Sequence, residues 1–143
     1  TAKTLDTLFS SLVDNGVNIK GTILKPNMVT SGSLSNIQAN IDDVADQTLR
    51  CLLSNVPKEL PGITFLSGGQ SDINSTAHLD AMNRKGDFNW KLSFSYGRAL
   101  QQSALRIWLG KEENMIASQK ALSHRAAMNR AAALGRWSSE LEQ

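Results

Sequence analysis

Residues suited to chemistry gather at three places where an apolar, β-branched run gives way to polar residues. The first is Lys25, which follows Ile23 and Leu24 and precedes Pro26. A lysine is ordinarily protonated at neutral pH, with a reference pKa of about 10.4. Set among apolar groups, or beside another cation, its amine is freed to attack a carbonyl carbon and form a Schiff base. The competing reading is a lysine that only snorkels outward from a strand end.

The second place is Ser67-Gly68-Gly69, after the run Ile63 to Leu66. Glycines let backbone approach a phosphate closely, and a helix N-terminus just beyond offers N–H groups and partial positive charge. A plain strand-to-helix turn would have the same composition. The third is Ser95-Tyr96-Gly97-Arg98, which repeats the arrangement and adds a guanidinium, the side chain that grips phosphate with two parallel hydrogen bonds. A cation at a helix start is electrostatically disfavoured unless an anion binds there. Two successive strand-end loops with serine and glycine are where barrels commonly hold phosphate.

Other candidates are weaker. His78 and His124 lie in helical stretches with no second ligand at metal spacing, so no metal is expected and both read as surface or packing residues. Cys51 is the single cysteine and reads as a small buried hydrophobe in a reduced, cytoplasmic setting. Lys120, Arg125, Arg130 and Arg136 read as a solvated helix face, and Trp90, Trp108 and Trp137 as core or interface residues.

The elements that must position these residues follow from apolar spacing. Leu5, Leu8, Phe9, Leu12 and Val13 recur at helical intervals before Asn15-Gly16. Val17 to Leu24 reads as a strand closed by Pro26, and the polar stretch Thr30 to Asn40 as a loop. A helix from about Asp42 to Ser54 leads to Pro57 and Pro61-Gly62, where a second strand, Ile63 to Leu66, begins. Ser71 or Asp72 caps the next helix, which Gly86 ends. The third strand runs from Trp90 to Ser95, a helix follows at once, and Lys111 to Leu134 reads as a long helix stopped by Gly135. The order is α-βα-βα-βαα, an α/β pattern with parallel strands whose polar residues sit in the loops leaving each strand.

Size and charge bound the rest. The 143 residues suffice for one domain with a real core, and 41% hydrophobic with 20% charged residues is a globular balance. No apolar run approaches the ~20 residues of a membrane span, and the opening residues carry no secretory pattern. A net charge of +2, with scattered basic residues, argues against a nucleic-acid partner. A complete (β/α)₈ barrel needs ~250 residues, so three strands make either an open sandwich or a piece of something larger.

The motifs themselves carry a resemblance. Gly21-Thr22-Ile23-Leu24-Lys25-Pro26-Asn27-Met28-Val29 resembles the Schiff-base lysine segment of class I fructose-bisphosphate aldolases. Gly62 to Ser71, containing Leu66-Ser67-Gly68-Gly69-Gln70-Ser71, is similar to that family's next strand and loop. Phe94-Ser95-Tyr96-Gly97-Arg98-Ala99-Leu100-Gln101 is similar to the one after, and Gly110-Lys111-Glu112-Glu113-Asn114 follows in order. The resemblance covers nearly the whole chain.

It implies that residues 1–143 form part of a single TIM-barrel domain, about strands six to eight with their helices, and no separate second domain. It implies a metal-free and cofactor-free carbon–carbon lyase of glycolysis and gluconeogenesis. Lys25 would be the covalent nucleophile, and Ser67, Gly68, Gly69, Ser95, Gly97 and Arg98 would hold the phosphate beside the ketone. The implied partners are a sugar phosphate and the remainder of the barrel, with the complete enzyme a cytoplasmic homotetramer. No nucleic acid or membrane is implied.

Departures are equally informative. The family's acid/base carboxylates come from its first five strands, which have no counterpart in these residues. Thr30-Ser31-Gly32 stands where the family commonly has Thr-Pro-Gly. The family's tail ends in a tyrosine that assists proton transfer, whereas Tyr96 is the one tyrosine here and the chain stops at Gln143. The segment by itself is therefore expected to be inactive. Two other readings are a non-catalytic phosphate-binding or complementing piece, and a lysine-dependent aldolase of the transaldolase or deoxyribose-phosphate type; the Leu-Lys-Pro-Asn-Met-Val string argues against the latter.

Overall fold

The structure, a computed structural model, describes residues 1–86 and 88–143. Helix α1 spans Ala2–Asp14 and buries Leu5 and Phe9, four residues apart on one face. Beyond Gly16 the expected strand from Val17 to Leu24 does not form. Residues Ile19–Gly21 make one 3₁₀ turn, in which the Asn18 side chain accepts from Lys20 N–H at 3.2 Å. Thr22 then donates from its Oγ1 to Ile19 O at 2.8 Å. These local side-chain bonds offer the backbone an alternative to a sheet ladder, and they outweigh the β-branched preference.

Pairing begins only at Leu24, which bridges Ile63 in parallel. Strand β1, Gly62–Phe65, pairs in parallel with β2, Lys91–Phe94, in the register Ile63 to Leu92 and Phe65 to Phe94. The Leu24 segment continues the ladder on the other side: Thr64 N–H donates to Leu24 O at 2.8 Å and Leu66 N–H to Pro26 O at 3.0 Å. The result is a two-stranded parallel sheet flanked by a short extended segment, α/β in organisation.

Helix α2, Ile41–Asn55, starts where Asn40 accepts from Asp43 N–H, with Asp42 and Asp43 complementing the positive end of the helix. Helix α3, Asp72–Lys85, connects the two strands. Helix α4, Arg98–Trp108, follows β2, and α5, Met115–Ala133, comes after a 3₁₀ turn at Glu112–Asn114. The helices pack α1 on α2, α2 on α3, α3 on α5 and α5 on α4. One cluster of buried side chains, from Leu5 to Trp137, fills the space between them and the sheet. Ile63 and Phe65 are fully buried there, each worth about 1.5–3 kcal/mol against exposure.

Alternation along the strands decides what faces outward. Leu24, Ile63 and Leu92 point into the helices, as do Pro26 and Phe65. Lys25, Thr64 and Ser93 occupy the opposite face, which the helices leave uncovered.

One packing expectation is corrected. Arg125 is 3% exposed and belongs to no solvated face. It lies on the stripe Arg125, Asn129 and Ala132 that α5 buries, and its guanidinium meets Glu142, Thr76 Oγ1 and Asp72 O. His78 is buried, as a packing residue is, and Trp108 is 45% exposed. Cys51 is half-buried against the core.

Candidate active site

Lys25 leaves the extended segment on the uncovered face and is solvent-exposed, because its neighbours Leu24 and Pro26 turn inward. It lines a cleft of about 430 Å³ with Thr4, Leu5 and Leu8 of α1 and with Leu66. Leu66 immediately precedes Ser67, so the cleft joins the lysine to the glycine loop. The apolar run around Lys25 thus supplies one wall of its surroundings and no burial.

The loop after β1 is shaped by backbone that only glycine adopts easily. Gly68 and Gly69 have φ of +59° and +86°, and both lie exposed at the loop surface. Ser67 is buried, and Gln70 N–H closes the turn on Ser67 O at 3.1 Å. Beyond it, Ser71 Oγ accepts from Asn74 N–H at 3.1 Å and Asp72 Oδ1 from Ile73 N–H at 3.0 Å. The first amides of α3 are therefore taken by its own side chains, contrary to the expectation that they are free for an anion. Burial pushes the Asp72 carboxyl up, but bonds from Ser103 and Ile73 N–H and the charges of Arg125 and Arg106 outweigh it and hold it below the usual range.

The loop after β2 differs in this respect. Helix α4 begins directly at Arg98, its N-cap is Gly97, and no side chain caps it. Arg98 is exposed and, among the described residues, makes no side-chain hydrogen bond or ion pair. A methyl placed on Gly69 would lie 3.9 Å from Arg98 Nη2, so the two loops meet. Tyr96 anchors the second loop from below: its ring is buried and its hydroxyl donates to Ser75 O at 2.8 Å. Burial pushes its phenol well above the ordinary value, so this tyrosine stays neutral. Ser95 is half-buried and tied by its N–H to Phe65 O at 2.9 Å.

The structure therefore brings Ser67, Gly68, Gly69, Ser95, Gly97 and Arg98 to the carboxyl ends of adjacent strands, beside the segment that carries Lys25. A cation, an uncapped helix start and bare glycine backbone can together receive a phosphate. A neighbouring amine can attack a carbonyl of the same ligand. The sequence assigns no role to Gln70 or Met28 and reads His78 as a surface or packing residue. Gln70, His78 and Met28 form a linked set: His78 Nδ1 meets Gln70 Oε1, and Gln70 Nε2 donates to Met28 Sδ at 3.6 Å. Only the position of Gln70, next to the glycines, hinted at it.

A family model for class I fructose-bisphosphate aldolase, a glycolytic family, matches residues 1–143. The chain is 51% identical over 138 residues to a probable class 1 fructose-bisphosphate aldolase of Xylella fastidiosa, covering 96% of this chain and 41% of the relative. It is 47% identical over 141 residues to fructose-bisphosphate aldolase 2 of Caenorhabditis elegans, covering 98% and 38% respectively. It is similar too to the cytosolic fructose-bisphosphate aldolase 4 of Arabidopsis thaliana, 46% identical over 99% of this chain and 36% of that one. Among solved structures, the Plasmodium falciparum aldolase superposes with a TM-score of 0.94 at 43% identity, over 96% of this chain and 40% of that one. The chain spans about two fifths of the length of the relatives it matches.

Proposed function

The chain belongs to the class I fructose-bisphosphate aldolase family, and from that premise we propose that it supplies the Schiff-base lysine and phosphate clamp of a fructose 1,6-bisphosphate aldolase. Residues 1–143 would be strands six to eight, with their helices, of a single (β/α)₈ barrel domain. The uncovered sheet face would then be part of the barrel interior. One observation carries this reading: Lys25 leaves the face opposite the core, beside strands whose ends hold the two glycine loops and Arg98.

In this mechanism Lys25 Nζ attacks the ketone carbon of the bisphosphate, and loss of water leaves an iminium. A base from the remainder of the barrel takes the hydroxyl proton on carbon 4. The bond between carbons 3 and 4 then breaks, and its electron pair flows into the iminium to form an enamine. Glyceraldehyde 3-phosphate leaves. Protonation of the enamine at carbon 3 and addition of water return Lys25 and release dihydroxyacetone phosphate. Arg98, with the Ser67–Gly69 loop, Ser95 and Gly97, holds the phosphate beside the ketone, fixing the distance from carbonyl to amine. Every group named is a protein side chain or backbone, and the iminium is itself the electron sink.

The complete enzyme would be a cytoplasmic homotetramer; a cytosolic setting is supported by the printed name of the Arabidopsis relative. No helix among the described residues is long and apolar enough to cross a membrane. The decisive experiment is borohydride reduction of the complete enzyme with dihydroxyacetone phosphate, followed by peptide mass spectrometry. The adduct is expected on Lys25. An adduct on another lysine, or unchanged turnover in Lys25→Ala, rejects the assignment.

A further inference from the structure

The side-chain amide of Gln70 is held at both ends. Its Nε2 donates to Met28 Sδ at 3.6 Å, and its Oε1 faces His78 Nδ1. A thioether sulfur accepts and never donates, so the amide turns its NH₂ toward Met28. The oxygen then faces His78, and the imidazole must carry its proton on Nδ1 to complete the bond. Met28 is 2% exposed and His78 5%, so solvent offers neither partner a ready substitute.

This small network joins three parts of the site. Met28 lies three residues beyond Lys25, Gln70 directly follows Gly69, and His78 sits inside α3. Gly68 and Gly69 gain their shape at the cost of stiffness, since glycine loses the most conformational freedom on ordering. Something outside the glycines must hold the loop in place, and the α3 cap at Ser71 acts only beyond Gln70.

We propose that Gln70, oriented by His78 and tied to Met28, is the positioning residue that sets the Ser67–Gly69 loop against the Lys25 segment. It fixes the loop where the phosphate beside the reacting ketone is received. The inference rests on the reading of that loop as a phosphate site. Gln70 touches no reacting atom and acts through the loop alone.

Four variants of the complete enzyme test this: His78→Leu, Gln70→Leu, the double change, and His78→Asn. The asparagine Nδ2–H stands close to where the imidazole Nδ1–H was and can still donate to Gln70. Gln70→Leu, on a half-buried loop side chain, guards against a folding failure at buried His78. His78→Leu and Gln70→Leu are expected to raise KM for fructose 1,6-bisphosphate roughly three- to tenfold, the size of one neutral hydrogen bond. They should change kcat less. The double variant should lose no more than the worse single one, and His78→Asn should restore KM. Unchanged KM in both leucine variants, a loss confined to kcat and melting temperature, or a folded His78→Asn enzyme that fails to recover KM would each overturn the proposal. A wild-type enzyme that does not cleave the bisphosphate overturns the phosphate reading with it. Normal cleavage with unaffected variants overturns this inference alone.

Discussion

Arg98 stands against Gly69: a β-carbon on that glycine would come within 3.9 Å of the Arg98 Nη2. Two loops from neighbouring strands thus present a cation and bare backbone to the same space. Arg98 spends that charge on no protein partner among the described residues, although it begins a helix, where a cation is disfavoured. Each charge-assisted bond to phosphate is worth ~1.5–3 kcal/mol. Arg98→Ala in the complete enzyme should therefore lower kcat/KM for fructose 1,6-bisphosphate roughly ten- to a hundredfold. Arg98→Lys should recover only part, since an ammonium cannot make the two-pronged grip. Steady-state kinetics equal to the parent would assign Arg98 to the fold instead.

A second prediction concerns acid. Burial pushes the His78 imidazole below its ordinary value. The folded protein favours the neutral ring, while the unfolded chain takes up a proton at about pH 6.5. Its contribution to stability is complete above that value and is lost as pH falls through the lower folded value. Melting temperature should drop between about pH 7.5 and pH 5, and less in His78→Asn, which cannot titrate there. Parallel drops in the two proteins would remove His78 from the explanation.

The C-terminal segment is secured through Glu142. This carboxylate accepts from Arg125, from Trp137 Nε1 at 2.8 Å and from His124 at 3.3 Å. Asp80 receives Trp137 N–H at 2.8 Å and pairs with Arg84, tightening the same corner. The Arg125 side chain is only 4% exposed, so Glu142→Ala strands a buried cation and should cost about 3–5 kcal/mol. Glu142→Gln keeps an acceptor for Trp137 and should cost less. Urea denaturation measures both, and a loss under about 1 kcal/mol for the alanine variant would mean that water replaces the carboxylate.

A polypeptide of residues 1–143 alone should show no measurable aldolase activity. Lys25 is open to solvent, and the residues correspond to 41% of the length of the Xylella relative. Loss of positioned proton transfer alone typically costs ~10²–10⁴ in rate. Activity is expected only when a separately made piece carrying the rest of the barrel is added. Robust turnover by the segment by itself would contradict the proposed division of labour.

Much of this was legible in the sequence, for identifiable reasons. Helix ends were marked by Asn15-Gly16, Ser71 and Gly135, and β1 and β2 by short apolar runs that stop at serine. Lys25, the two serine–glycine loops and Arg98 stood out because each interrupts such a run. Where the sequence misleads, side-chain hydrogen bonds decide the outcome, some local and some from partners distant in the chain. Val17 to Leu24 has strand composition, but Asn18 and Thr22 divert its backbone into a turn. Arg125 looks like a surface cation until Glu142 and Thr76 are brought to it. His78 is the buried packing residue it looks like, and Gln70 meets it across the loop.

The strict alternation from Ile23 to Met28 also says where this chain can change length. A single inserted or deleted residue ahead of Lys25 would reverse every later side chain, driving the amine into the helices and a leucine out of the core. No neighbouring segment could compensate, because Leu24 is bonded to β1 and Pro26 to Leu66 just beyond it. The almost wholly exposed stretch 30–40 has no ladder partner and answers to no such parity. Insertions and deletions are accordingly expected to be tolerated at 30–40 and excluded from 23–28, so that reading-frame-preserving indels map the boundary between chemistry and connector.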